Sequence, residues 1–170
     1  MSRFFPHTPY GEDQPLHHTI LAVHVLTRGA TTGAIIGGSV YGTRRLRASW
    51  ATSQAASPFT RTQLLLRSAG IGTVIGTACL AVALVGRMTG REEIEWKDRS
   101  WRLMQNKGQL ECDDWSYGGA AAGIGAAALS GALKAAGWKA AVGAAGAGSV
   151  AGTVGYMAWR YGIKGGKFED

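Results

Sequence analysis

Three of the four histidines, His17, His18 and His24, fall close enough together to suggest chemistry. His17 and His24 are seven apart and would share a helical face, where two imidazoles could begin a metal site. No carboxylate or thiol accompanies them in that segment, so solvated or interfacial histidines are expected. The run Gly123-Ile-Gly125-Ala-Ala-Ala128 fits a permissive dinucleotide fingerprint. That chemistry needs a strand before the glycines, a helix after them and an acid about 20 residues on. Here the match lies inside an uncharged stretch, and residues 143–153 contain no acid. Cys79 and Cys112 lack the C-x-x-C spacing of a zinc site and are too few for a disulfide framework. No nucleophile–base grouping can be assembled, so no catalytic, cofactor-binding or metal-binding residue is expected. A bound phospholipid is the one small-molecule ligand that fits this reading.

Arg28 is the costly residue. It falls near the middle of an apolar run, where a charge costs about 2.5–3.5 kcal/mol on insertion scales. His24 lies one turn before it, and Thr31 and Thr32 one turn after. Residues 29–43 give only 15 uncharged positions, which is short for a span. We therefore expect Arg28 to face a partner's carboxylate, a lipid phosphate or a water-filled cleft, rather than to snorkel from a shifted helix.

The elements that would position these residues follow from where the charges are. The chain has 170 residues, 26 Gly, 18 Lys+Arg and 11 Asp+Glu, with a formal net charge of +7. Glycine is about twice as common as usual, without a collagen period. Residues 68–86, 115–133 and 140–159 are uncharged runs of 19, 19 and 20 residues. Each approaches the ~20 residues that a helix needs to cross a bilayer. This argues against a water-soluble domain and a disordered basic tail, and no nucleic-acid partner is expected.

The expected fold is all-α, an integral membrane protein with four Gly/Ala-rich transmembrane helices and an extramembrane connector helix. Residues 1–18 form an N-terminal extramembrane segment, followed by spans at 19–43 and 63–86 joined by a basic loop at 44–62. The loop carries Arg44, Arg45, Arg47 and Arg61 with no acid. A charged connector at 87–116 contains a helix at about 91–105. Its expected supports are a capping box from Thr89 to Glu92 and acid-before-base pairs Glu95–Arg99 and Asp98–Arg102. Asn106-Lys107-Gly108 would end this helix, and Trp96 and Trp101 suit a membrane–water boundary. The third and fourth spans, 117–136 and 140–159, would be joined by a turn at 137–139, leaving a tail at 160–170.

In lipid, helices gain nothing from burying apolar surface against one another, so association relies on close packing by small residues. Small residues recur at intervals of four in every span. Gly29, Gly33 and Gly37 line the first, and Ser68, Gly72 and Gly76 the second. Gly119, Gly123, Ala127 and Gly131 line the third. The fourth has Gly143, Ala147, Ala151 and Gly155, with Gly148 and Gly152 on an adjacent row. The last two spans carry so little bulk that an obligate hetero-oligomer is expected, docked on hydrophobic membrane subunits and lipids.

The first sixteen residues show neither a secretory signal nor an Arg-rich presequence, so internal signals are expected to direct insertion. Four crossings place both termini on one side. The positive-inside rule then puts 44–62 and 137–139 on the matrix side of a mitochondrial inner membrane.

The stretch REEIEWKDRSWRLMQNKGQLECDDWSYGG (91–119), followed by two Ala/Gly-rich spans, resembles a fungal accessory subunit of mitochondrial respiratory complex I, the NUXM type. The resemblance implies a non-catalytic place beside membrane-arm subunits of a proton-pumping NADH:ubiquinone oxidoreductase, without a redox cofactor of its own. The glycine rows are also similar in architecture to the Tim17/Tim22/Tim23 superfamily, which implies the alternative of an inner-membrane translocase or channel component.

Overall fold

The structure, a computed structural model, describes residues 4–50 and 58–168. It is all-α, 84% helical, with no strand among the described residues. The five helices are α1 (His17–Trp50), α2 (Arg61–Met88), α3 (Glu93–Gln105), α4 (Lys107–Leu129) and α5 (Ala132–Met157). A short 3-10 turn, Gly11–Asp13, precedes them, and a π-helical turn, Ala158–Ile163, follows α5. Part of the basic loop, 51–57, lies outside the described residues. Arg44, Arg45 and Arg47 belong to α1, which continues past the expected end of the first span.

Local chemistry sets the helix ends. Thr60 caps α2: its hydroxyl accepts the Gln63 backbone N–H at 3.2 Å, and the Gln63 side-chain Oε1 accepts the Thr60 N–H at 2.9 Å. Thr89 does not cap α3 as the sequence pattern suggests. Its hydroxyl donates back to the Val85 carbonyl at 2.6 Å, finishing α2 instead. The reciprocal cap moves three residues on, where the Glu92 N–H donates to the Glu95 carboxylate at 3.2 Å. Glu95 accordingly pairs with Arg91, while Asp98 pairs with Arg102 at 3.0 Å. Asn106 serves two helices. Its N–H closes α3 on Leu103, and its side-chain oxygen accepts the Gln109 N–H that opens α4. The connector is thus a helical corner, and Gly108 lies inside α4 rather than beyond a helix end.

The helices form two antiparallel pairs, α1 with α2 and α4 with α5. α2 and α5 run parallel through the centre, so that α5 touches α1, α2 and α4. The paired positions Gly119–Gly148 and Gly123–Ala144 centre the second reversal between Gly131 (φ 72°) and Gly137 (φ 65°). The reversal therefore begins earlier than the expected 137–139, because Gly131 adopts a left-handed conformation open to glycine at no steric cost.

Among the described residues, two helices are long and apolar enough to cross a membrane: His17–Ala48 and Arg61–Met88. The glycines of α4 and α5 dilute their hydropathy, and the start of α4 carries Lys107, Glu111, Asp113 and Asp114.

Candidate functional site

The seams between helices are built from glycine. A methyl group added at Gly29 would stand 2.7 Å from the Gly76 carbonyl oxygen, and one at Gly33 would strike the Gly72 carbonyl. Gly37 lies against Ser68, whose hydroxyl donates to the Gly37 carbonyl at 2.8 Å. Across the other pair, Gly119 faces Gly148 and Gly152, and Gly123 faces Ala144 and Gly148. Gly155 meets the ring of Trp115 rather than a backbone.

Gly131 is different. It has open space around its Cα and serves the turn, so its place in a packing row is corrected. The row of Gly143, Ala147, Ala151 and Gly155 is not a single packed face either. Gly143 presses on the Leu66 carbonyl of α2, whereas Ala147 and Ala151 are exposed. Sequence spacing treats each helix as having one contact face, but α5 packs against three helices and spends its glycines in several directions.

Hydroxyl pairs lock these seams. Thr31 and Ser149 meet at 2.8 Å between α1 and α5, and Ser116 and Thr153 meet at 2.9 Å between α4 and α5. Thr31 and Ser116 also bond the carbonyls of Thr27 and Cys112 one turn before them, so these four hydroxyls are all partnered within the bundle.

One polar cluster stands out against this background. Asp113 on α4 has no exposed side-chain surface, and its carboxylate meets both polar residues of the α1 face opposite. One oxygen lies 2.6 Å from His24 Nδ1 and the other 2.7 Å from the Arg28 guanidinium. The guanidinium also donates to Gln109 Oε1 at 3.2 Å and Cys112 Sγ at 3.3 Å. Next to them Thr27 and Tyr117 share a hydrogen bond of 3.0 Å. The carboxylate facing Arg28 thus comes from this chain and not from a partner. The sequence reading missed Asp113 because it assigned residues 87–116 to a connector. The available signal was that Asp113 and Asp114 are the acids immediately before an uncharged run.

With the guanidinium seated between Cys112 and Asp113, the cluster already holds its cation. Among the described residues no group of three or more His, Cys, Asp or Glu side chains is arranged for a metal ion. His17 and His18 turn elsewhere. His17 Nδ1 meets the Gln14 carbonyl at 3.1 Å, and the His18 ring lies 4.4 Å from that of Trp96. The cluster opens on a cleft of ≈ 600 Å³ bordered by Asn106, Tyr156, Tyr161 and Phe168. Beside it Arg160 is buried, paired with Glu111 and bonded to the Lys167 carbonyl, with its guanidinium 4.3 Å from the Phe168 ring centre. The Glu111 hydrogen bond raises the Arg160 pKa above its ordinary value.

A family model described as "Protein of unknown function (DUF1757)" matches residues 13–154, and the chain belongs to that family. No curated protein and no solved structure matches the chain.

Proposed function

We propose that this DUF1757 protein is a non-catalytic, four-span subunit of a larger membrane assembly. The single observation behind this reading is the combination of hydropathy and exposure in the first helix pair. The most apolar window of α2 has mean hydropathy 2.0 yet is only 17% buried, and that of α1 only 33%. A core helix of a water-soluble protein with such hydropathy would be mostly covered. Ile36, Ile75, Val82 and Val85 instead point outward, a surface that suits lipid or the helices of a partner. The hydroxyl pairs and the Asp113 cluster face inward, which suits a bilayer where unsatisfied polar groups cost several kcal/mol.

α4 and α5 serve as the third and fourth spans in this proposal. α5 packs against α1, α2 and α4 on its glycine-bearing sides and leaves Ala147, Ala151 and Val154 to face outward. The corner of α3, the N-terminal segment and the beginning of α4 remain outside the lipid. Trp101 ties that layer together by donating to the Thr8 carbonyl at 2.9 Å.

The resemblance over 91–119 supports a more specific assignment. The assembly would be the membrane arm of mitochondrial NADH:ubiquinone oxidoreductase, with this subunit aiding assembly and stability and bringing no cofactor of its own. Its multi-pass location would be the inner membrane, with the basic 44–62 and 137–139 regions toward the matrix.

Blue-native electrophoresis with mass spectrometry tests the assignment. Co-migration with NADH dehydrogenase activity supports it. Migration with protein-import machinery would replace it by the translocase reading, and recovery in the supernatant after alkaline carbonate washing would overturn membrane residence altogether.

A further inference from the structure

We propose that an anionic phospholipid binds the outer groove between α1 and α2, with its phosphate at Arg44 and one acyl chain along the glycine seam. The inference rests on the bilayer reading above but not on the identity of the assembly. The groove has a volume of ≈ 630 Å³ and runs from Arg44 past Gly33 and Gly72 to Cys79. Its floor is bare backbone, since Gly33 and Gly72 bring the two helices into contact without side chains to fill the space outside them. Ile36 and Ile75, both more than half exposed, form its walls. From Arg44 to Gly29 along α1 the rise is about 22 Å at ~1.5 Å per residue. That matches about half of the 40–45 Å bilayer thickness with headgroups included. The groove therefore has the length of one lipid leaflet.

Charge selects the headgroup. Every Asp and Glu in the chain falls within residues 12–13, 92–114 or 169–170, so residues 14–91 and 115–168 contain no acid. The end of the bundle that holds Arg44 also holds Arg45, Arg47, Arg61, Lys134 and Lys139, with no carboxylate in any of the segments that form it. Basic residues near a membrane surface attract anionic lipid. Arg44 is the one that lines the groove itself, and a guanidinium can bind a phosphate through two parallel hydrogen bonds. A zwitterionic lipid could fill the apolar channel equally well but would bring no net negative charge to this acid-free, positive end. An acyl chain fits the narrow, glycine-floored channel, and the cation at its mouth identifies the occupant as an anionic lipid.

The test uses full-length protein purified in mild detergent from vesicles containing equal amounts of phosphatidylglycerol and phosphatidylcholine, followed by native mass spectrometry. The wild-type protein should retain one phospholipid, with phosphatidylglycerol favoured at least fivefold. Arg44→Ala should reduce that preference to below twofold, whereas Arg47→Ala, outside the groove, should keep it. Ile75→Trp should displace both lipids by filling the channel, and Thr32→Phe provides the same block if the first variant fails to fold. Equal retention of the two lipids by the wild type, or equal losses from Arg44→Ala and Arg47→Ala, would overturn the site. A carbonate wash of the same membranes separates the two failures: protein that stays in the pellet but retains no lipid sinks only this proposal.

Discussion

Arg28 on α1 and Asp113 on α4 form an ion pair of 2.7 Å between residues 85 positions apart, and they join two helices whose backbones barely touch. The Arg28 side chain is 25% exposed toward the adjoining cleft, whereas Asp113 is wholly enclosed. Removing one partner of such a pair leaves a charge without compensation, which is more damaging than removing both.

Asp113→Ala should therefore destabilise the bundle by about 3–5 kcal/mol, the usual cost of breaking a buried pair. The double change Arg28→Met with Asp113→Leu should recover most of that loss. Thermal unfolding in detergent, followed by circular dichroism, measures both. Arg28→Ala should also lower the yield of the intact assembly. An unchanged yield would restrict the pair to a role within the isolated chain.

The glycine seams predict a contrast between positions of the same residue type. Gly33→Ala and Gly72→Ala each drive a methyl group into an opposing carbonyl, and overpacking of this kind costs about 1–3 kcal/mol. Gly86→Ala meets nothing within 4 Å, so it should leave stability unchanged or raise it by up to about 1 kcal/mol through helix propensity. The three melting temperatures, determined side by side, check the ordering.

Gly131 should respond to backbone conformation rather than to size. With φ at 72° and open space around it, Gly131→Ala should cost about 1–2 kcal/mol from left-handed strain. Gly131→Asn should be milder, because asparagine visits that conformation more readily. Equal losses from both would point to a steric contact instead.

Glu93 sets a pH dependence at the start of α3. Its hydrogen bond to Lys97, and then the Lys97 charge, hold its carboxyl below the ordinary value of 4.5. The resulting support for α3 is present above the unfolded value and lost as pH falls through the lower, folded one. A carboxyl titration followed by NMR should show Glu93 moving back toward 4.5 in Lys97→Met. An unmoved titration would remove Lys97 as the cause.

Parts of this architecture can be read directly from the sequence, and parts cannot. The interval of four in Gly29, Gly33 and Gly37 is visible in one line of text, and it brings these residues against Gly76, Gly72 and Ser68. A regular helix converts that spacing into a face. The Arg28–Asp113 pair was hidden because it depends on how α4 begins: Asn106 turns the chain directly from one helix into the next, so Asp113 points inward rather than lying in a solvated connector. Gly131 misled for the opposite reason. Its spacing continues the row of Gly119 and Gly123, but spacing does not reveal where a helix ends. The several contact faces of α5 were also beyond a one-helix view, since they emerge only when three neighbours are packed against it.

α5 has a further significance for biogenesis. It is the last of the long helices to leave the ribosome, yet Gly70 and Thr73 of α2 have their contacts on it. Until α5 is made, Gly70 and Thr73 lack the helix they close on, so a chain interrupted before residue 140 leaves that side of the first helix pair uncovered.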